Sequence, residues 1–203
     1  MYCKFFKRFL DFLLSFTAMV LFFWLFLILM ILVKVTSPGP IFFRQKRVGI
    51  HKTYFWMLKF RTMRIDTPKD VPTHLLANPE QYITPIGRFL RKTSLDELPQ
   101  LWNILVGDMA IVGPRPALWN QGDLIAERDR YGANEVRPGL TGWAQINGRD
   151  ELEIPVKAKF DGEYVKQISL FFDIRILFGT IRSVAVQEGV KEGGTGNGQG
   201  HGK

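Results

Sequence analysis

The chain has 203 residues, of which 27 are Lys or Arg and 19 are Asp or Glu, so its formal net charge is +8. This length suits one catalytic domain with an additional element, and the charge favours anionic partners such as phosphates, anionic lipid or nucleic acid. The single cysteine, Cys3, excludes a disulfide framework, and the scattered histidines His51, His74 and His201 give no zinc motif.

The first predicted element is a long apolar helix. Residues 12–33 carry no charged side chain, and about 22 residues reach about 33 Å, enough to cross a hydrocarbon core. This run is too long for a cleaved signal peptide, so residues 1–40 are predicted to be a retained membrane anchor. Basic residues flank both ends: Lys4, Lys7 and Arg8 precede the run, and Lys34, Arg44, Lys46 and Arg47 follow it.

The positive-inside rule places both flanks in the cytoplasm. A helix that enters and returns on the same side satisfies the rule, whereas an ordinary span, which stays the alternative, does not. The bend that re-entrance requires has two candidate causes. Ser15 and Thr17 can bond back to the helix, or the aromatic cluster Phe22–Trp24 can mark a shallow turn.

Residues 41–192 are predicted to form a cytoplasmic catalytic domain of α/β class, mainly helical with one small β-hairpin. Pro38 and Pro40 end the apolar helix, and "IFFRQKRVG" followed by "TYFWMLKFRTM" predicts the hairpin. Residues 64–80 are predicted to be a surface loop, and the Gly-rich residues 193–203 a disordered tail. Helices are predicted over Pro85–Arg91, Asp96–Leu105, Ala117–Tyr131, Val156–Lys166 and Leu170–Val186.

The last predicted helix carries a strong apolar stripe. Its members are Leu170, Phe171, Ile174, Leu177, Phe178 and Ile181. Such a stripe usually faces a protein core. Beside a membrane anchor, an amphipathic helix lying in the membrane surface is the competing interpretation.

Two adjacent acids, Asp96 and Glu97, stand within the segment "RKTSLDELPQLWN". One interpretation is structural, because Ser94-x-x-Glu97 fits a capping box at a helix start. The other is catalytic. A carboxylate can attack phosphorus when cations neutralise the diphosphate, and Mg²⁺ binds through one or two carboxylates plus substrate phosphates, so Asp96 and Glu97 are also the candidate metal ligands.

Cations in rigid loops favour the catalytic interpretation. Arginine suits bidentate phosphate binding, and Gly and Pro neighbours hold its guanidinium in place. The candidate phosphate-binding residues are Lys59, Arg61, Arg91, Arg115, Arg137 and Arg149. The apolar anchor and the lack of a basic helix argue against nucleic acid as the partner.

Four ordered blocks carry a family resemblance: "FFRQKRVG", "KFRTM", "TSLDELPQLWNILVGDMAIVGPRP" and "RPGLTGWAQINGR". They resemble the bacterial sugar transferases, the small monotopic phosphoglycosyl transferases that start glycan assembly on polyprenyl phosphate. The resemblance implies transfer of a sugar phosphate from a UDP-sugar to polyprenyl phosphate, at the cytoplasmic face of the bacterial inner membrane.

The resemblance also implies residue roles. Asp96 would attack the sugar-proximal phosphate, release UMP and pass the covalent phosphosugar to the lipid phosphate in a ping-pong cycle. Glu97 would act as a base or position Mg²⁺, and Arg91, Arg115 and Arg149 would bind phosphates. The chain departs from the family in one respect, since members commonly carry Ser-Pro in mid-helix where this sequence has Phe23 and Trp24.

Two other functions stay open at this point. The same acid pair would serve a membrane-bound hydrolase of nucleotide sugars, and a non-catalytic adaptor would use Ser94-x-x-Glu97 only as a cap. The sequence names neither the sugar nor the oligomeric state, so a homo-oligomer stays open.

Overall fold

A computed structural model of the protein describes residues 2–67, 79–148 and 152–186, and it is mainly helical with two small two-stranded sheets. The helices are α1 (Lys7–Leu21), α2 (Phe23–Thr36), α3 (Pro85–Lys92), α4 (Gln100–Val106), α5 (Gly122–Asp129), α6 (Trp143–Ile146), α7 (Ile154–Gln167) and α8 (Leu170–Val186). The strands are β1 (Phe42–Val48), β2 (Tyr54–Phe60), β3 (Ala110–Val112) and β4 (Gly139–Thr141).

The predicted N-terminal helix is broken into two. Within the described part of the chain, no single helix has both the length and the apolar character to cross a membrane, but α1 and α2 together do, and they are bent by 66°. The break lies at Phe22, where φ is −95° and ψ is 12°. The bend therefore falls in the aromatic cluster, and Ser15, whose hydroxyl donates to the Phe12 carbonyl, lies seven residues before it.

Helix α1 buries two polar side chains, Asp11 and Ser15, and exposes most of its apolar ones. Asp11 is 4% exposed and accepts a hydrogen bond from the Ile111 backbone N–H, and Ser15 is fully buried. The outward face is apolar and exposed, with Phe9, Phe12, Phe16 and Val20. This arrangement reverses the pattern of a helix packed on a water-soluble protein.

Helix α2 contributes to the protein core. Leu29 and Val33 are buried against Phe60 and Leu90, which belong to β2 and α3. The C-terminal end of α2 is capped by Arg61, which donates to the carbonyls of Ser37, Pro38 and Val33. These contacts make α2 continuous with the hydrophobic core around β2 and α3.

The predicted hairpin is confirmed. Strands β1 and β2 pair antiparallel from Phe42–Phe60 to Val48–Tyr54. Alternate residues of β2, Phe55 and Met57, point inward onto α4 because side chains alternate along a strand. Lys59 is next in this alternation, so the hairpin carries it to the same inner side.

Helix α4 is fixed against β2 by one buried amide. The Asn103 side chain accepts from the Leu58 N–H at 3.0 Å and donates to the Trp56 carbonyl at 2.9 Å. It also donates to Asp108, which follows the helix. This single side chain fixes the position of α4 along β2.

The second sheet supports the loop that contains Arg115. Strands β3 and β4 pair parallel, and the chain after β3 lies directly on β4 through three glycines. A Cβ on Gly139 would lie 2.1 Å from the Gly113 nitrogen, and one on Gly142 would lie 2.1 Å from the Gly113 oxygen. Only glycines permit this backbone contact, which holds the loop rigidly.

The apolar stripe of α8 faces outward except at Leu177, which packs on the core, so its interpretation as a core face is wrong for the other five members. Phe171 is 79% and Phe178 is 70% exposed, whereas the buried side of the helix holds Phe172 and Ile176. Together with α1, α3 and α4, this helix presents an extended apolar exterior. Exposed members on α3 and α4 are Phe89, Trp102 and Val106.

Two further predicted helices are corrected, and two other predictions fall wholly or partly outside the described residues. The helix predicted from Ala117 begins only at Gly122, because residues before it pair with the hairpin: Ala117 accepts from the Val48 N–H, and Leu118 bridges Arg47. The helix predicted from Asp96 begins at Gln100. Residues 68–78 of the predicted surface loop and the predicted disordered tail, residues 193–203, lie outside the described residues.

Candidate active site

The acid pair lies on a tight turn between α3 and α4. Residues Leu95–Glu97 form a single 3-10 turn, and Ser94, which precedes it, has a left-handed backbone with φ of 57°. The Ser94 side chain makes no capping hydrogen bond, so the predicted capping box does not form. Glu97 is used for other contacts instead.

Two cations hold the Glu97 carboxylate. Lys59 Nζ donates to Glu97 Oε1 at 2.6 Å, and Arg115 Nη2 donates to the same oxygen at 2.9 Å. Burial alone would raise the pKa of Glu97, but Arg115 and Lys59 outweigh it and hold this pKa well below its usual value. Glu97 is therefore ionised at neutral pH and is a poor general base.

The neighbouring carboxylate of Asp96 is held much less firmly. Its Oδ2 lies 3.9 Å from Lys59 Nζ, beyond hydrogen-bonding distance, and no described residue donates a hydrogen bond to it. Burial raises the pKa of Asp96 above its usual value, with Glu97 adding to this effect and Lys59, Arg91 and Arg115 opposing it. A buried carboxylate that is surrounded by cations but not bound by them is available to react.

The two acids thus have different chemical capacities. Environments that move the pKa values of two carboxyls apart are typical of sites in which the groups have separate roles. Glu97 organises Lys59 and Arg115, and those cations can neutralise a phosphate that approaches Asp96. Asp96 has the free carboxylate that nucleophilic attack on phosphorus requires.

The acid pair also fits the ligand preferences of Mg²⁺. The ion binds through one or two carboxylates and completes its coordination with water and substrate phosphates. Asp96 has both oxygens free of hydrogen bonds from described residues. No group of three or more His, Cys, Asp or Glu side chains within the described ranges could hold a metal by itself, so any ion here would depend on the substrate for ligands.

The predicted phosphate-binding residues separate into three groups. Lys59 and Arg115 contact the acid pair directly, and Arg91 is close enough to lower the pKa of Asp96. Arg61 and Arg137 lie elsewhere. Arg61 caps α2, and Arg137 donates to the Gly107 carbonyl at the opposite end of α4.

The interpretation of Arg61 as a phosphate ligand is therefore replaced by a structural one, because its guanidinium is buried and committed to backbone carbonyls. Arg149 lies outside the described residues.

One residue that places the site was missed by sequence reasoning. Asn103 ties α4 to β2 and so brings the acid pair to the level of Lys59. The signal was a lone amide within the apolar run "LWNILV", since a buried amide must find partners.

An α/β enzyme with an acid pair held among cations is the class that this fold and site define. The model of the bacterial sugar transferase family matches residues 2–187, so the chain belongs to that family.

Named relatives agree with this assignment. The chain is 43% identical over 191 residues to the uncharacterized sugar transferase EpsL of Bacillus subtilis, covering 92% of this chain and 90% of the relative. It is 38% identical over 197 residues to the exopolysaccharide production protein ExoY of Rhizobium meliloti, covering 90% and 87%. It is 42% identical over 162 residues to UDP-glucose:undecaprenyl-phosphate glucose-1-phosphate transferase of Escherichia coli, covering 73% of this chain and 33% of that enzyme. The protein is thus a transferase.

Proposed function

We propose that the protein transfers a sugar 1-phosphate from a UDP-sugar to polyprenyl phosphate through a covalent intermediate on Asp96. The observation that carries the proposal is the free Asp96 carboxylate beside a Glu97 bound by Lys59 and Arg115. The E. coli relative is named for the transfer of glucose 1-phosphate to undecaprenyl phosphate, which supports the same reaction class here.

The first half-reaction is the attack of Asp96 on the UDP-sugar. An Asp96 oxygen forms a bond to the sugar-proximal phosphorus, the bond from that phosphorus to the bridging oxygen breaks, and UMP leaves with the electron pair. Lys59 and Arg115 offset the negative charge that builds up on the phosphoryl oxygens. Mg²⁺, when bound by Asp96 or Glu97 and the diphosphate, would supply further charge neutralisation.

The second half-reaction returns the enzyme to its starting state. The phosphate oxygen of the polyprenyl acceptor attacks the same phosphorus, the acyl-phosphate bond breaks, and Asp96 regains its carboxylate. The product is a polyprenyl diphosphate sugar, the first membrane-bound intermediate of a polysaccharide.

Neither the hydrolase nor the non-catalytic adaptor is supported by a specific contact. The adaptor needs Ser94-x-x-Glu97 as a helix cap, and that cap is absent. The hydrolase uses the same acids, so a functional measurement must distinguish it from the transferase.

The distinguishing measurement is the amount of UMP released by the purified full chain in detergent, with a panel of UDP-sugars. Without polyprenyl phosphate, release is expected to stop at one UMP per enzyme because Asp96 stays blocked. Addition of polyprenyl phosphate should restart it. Continued release without the acceptor would identify a hydrolase, and no release from any donor in the presence of Mg²⁺ and acceptor would contradict an enzyme of this type.

We further propose that α1 and α2 form a re-entrant anchor in the cytoplasmic leaflet of the inner membrane, bent at Phe22. Three features support this: the 66° bend, the apolar exterior of α1 and α8, and the need for cytosolic UDP-sugar to reach the site. Basic flanks on both sides of the anchor agree with cytoplasmic placement of both ends.

Cys3 gives a direct test of this topology, since it is the only cysteine of the chain. A membrane-impermeant thiol reagent is expected to leave Cys3 unlabelled in intact cells and to label it after the cells are opened. A Cys3→Ser variant provides the background signal. Labelling in intact cells would place the N-terminus outside and make the segment an ordinary span.

A further inference from the structure

A buried glutamine, Gln100, lies beside the acid pair and takes no part in the contacts that hold it. Gln100 is the first residue of α4 and is only 1% exposed. Neither its Nε2 nor its Oε1 has a hydrogen-bond partner among the described residues. A buried polar group without a partner destabilises the fold, so each one in a native structure calls for an explanation.

The backbone places Gln100 one helical turn after Asp96. Leu98 and Pro99, which join the turn of the acid pair to α4, both have right-handed helical backbones. The backbone hydrogen bonds here run from residue i to i−3, as in Leu98 N–H to the Leu95 carbonyl and Leu101 N–H to the Leu98 carbonyl. Gln100 follows Asp96 by four residues and Glu97 by three, so both acids lie about one turn before it.

The contacts of α4 place Gln100 on the same side as the reactive groups. Asn103, one turn further along, bonds to β2 at Trp56 and Leu58, whereas Glu97, one turn back, bonds to Lys59. The helix thus runs antiparallel to β2. Along the chain, Gln100 lies between the Glu97 contact and the Asn103 contact, on the face that packs on the strand.

A buried hydrogen-bond acceptor and a buried donor, Asp96 and Gln100, therefore lie about one turn apart. The Asp96 carboxylate has no donor among the described residues, and the Gln100 amide has no acceptor. The amide is neutral, so it can bind Asp96 before and after phosphoryl transfer without altering the charge of the site.

We propose that Gln100 is a positioning residue that orients Asp96, with Nε2 donating to the Asp96 carboxylate when the donor diphosphate is bound. This inference rests on the proposed function. The hydrogen bond fixes the rotamer of Asp96, so that one of its oxygens lies in line with the bond from phosphorus to the leaving UMP. Such alignment is worth a large factor in rate even where substrate affinity is unchanged.

The test is the Gln100→Met variant, which keeps the side-chain length and removes the amide. Its unfolding temperature should equal or exceed that of the wild type, because an unpartnered buried amide is replaced by an apolar group. Its kcat should fall about 10- to 100-fold, as for other residues that orient a reactive group, with KM for the UDP-sugar within about 3-fold of the wild type. The donor is whichever UDP-sugar gives UMP release with the wild type.

Gln121→Met is the matched control. The Gln121 side chain accepts a hydrogen bond from the Leu118 N–H at 2.8 Å, so this variant should lose stability and keep its kcat, the opposite pattern. A Gln100→Met protein with wild-type kcat, or one that unfolds at a lower temperature than the wild type, would overturn the proposal. Inactivity of the wild type with every donor would instead overturn the proposed function, and this inference with it.

Discussion

Asp96→Asn is expected to form no phosphosugar adduct and to lose about 10⁴-fold or more of its turnover, the scale seen when a covalent nucleophile is removed. An amide has nearly the same size as the carboxyl but cannot attack phosphorus. Intact-protein mass spectrometry after addition of the UDP-sugar should show the mass of a sugar phosphate on the wild type and none on the variant.

Stability separates this loss of chemistry from a loss of fold. Burial raises the pKa of Asp96, so the ionised carboxylate costs folding free energy at neutral pH, where an unfolded chain ionises it freely. The neutral variant should therefore unfold at the same or a higher temperature. Glu97→Gln is the contrasting variant, because it weakens the contacts with Lys59 and Arg115 and should lose both stability and activity. An adduct of equal yield on Asp96→Asn would place the nucleophile elsewhere.

Removal of divalent cations with excess EDTA is expected to lower UMP release by about 100-fold or more. The reason is electrostatic: metal coordination of the phosphoryl oxygens is worth several kcal/mol of charge stabilisation, and about 2.7 kcal/mol already corresponds to 100-fold in rate. Added Mg²⁺ should restore the rate.

Two controls apply to the EDTA experiment. EDTA already saturated with Mg²⁺ should have no effect. The unfolding temperature without substrate should not change, because the described residues contain no cluster of three metal-binding side chains that would make the ion structural. Full activity in excess EDTA would show that Lys59 and Arg115 alone neutralise the diphosphate.

The sequence predicted those elements whose signals are local. The hairpin was predicted from its strand-forming residues, and α3 is equally local, because Thr84 caps its start by accepting from the Gly87 N–H. The helix predicted from Ala117 started too early because Val48 of a distant strand competes for that backbone, and no local pattern records such pairing. The break at Phe22 was anticipated in place but lacks the residue that usually causes one.

The sequence identified the residues of the candidate site better than it predicted their arrangement. The acid pair and the two cations on Glu97 were all identified, but the list of candidate phosphate ligands also included Arg61 and Arg137. Both guanidiniums bind carbonyls, Arg61 after the end of α2 and Arg137 at Gly107. A cation at a helix C-terminus and one at a phosphate look alike in sequence, because carbonyl and phosphate oxygens both attract guanidinium.

The burial of Leu29 and Val33 against Phe60 and Leu90 means that the first 40 residues are not a detachable anchor. Deletion of these residues would remove the apolar side chains that pack on the end of β2, next to Lys59. It would also remove the carbonyls to which Arg61 donates. The proposed anchor and the acid pair therefore share one hydrophobic core. Under the proposed anchoring, partition of α1 and α2 into lipid and the folding of the acid pair are thermodynamically linked, so a change of bilayer composition is expected to alter the reaction rate through the protein core.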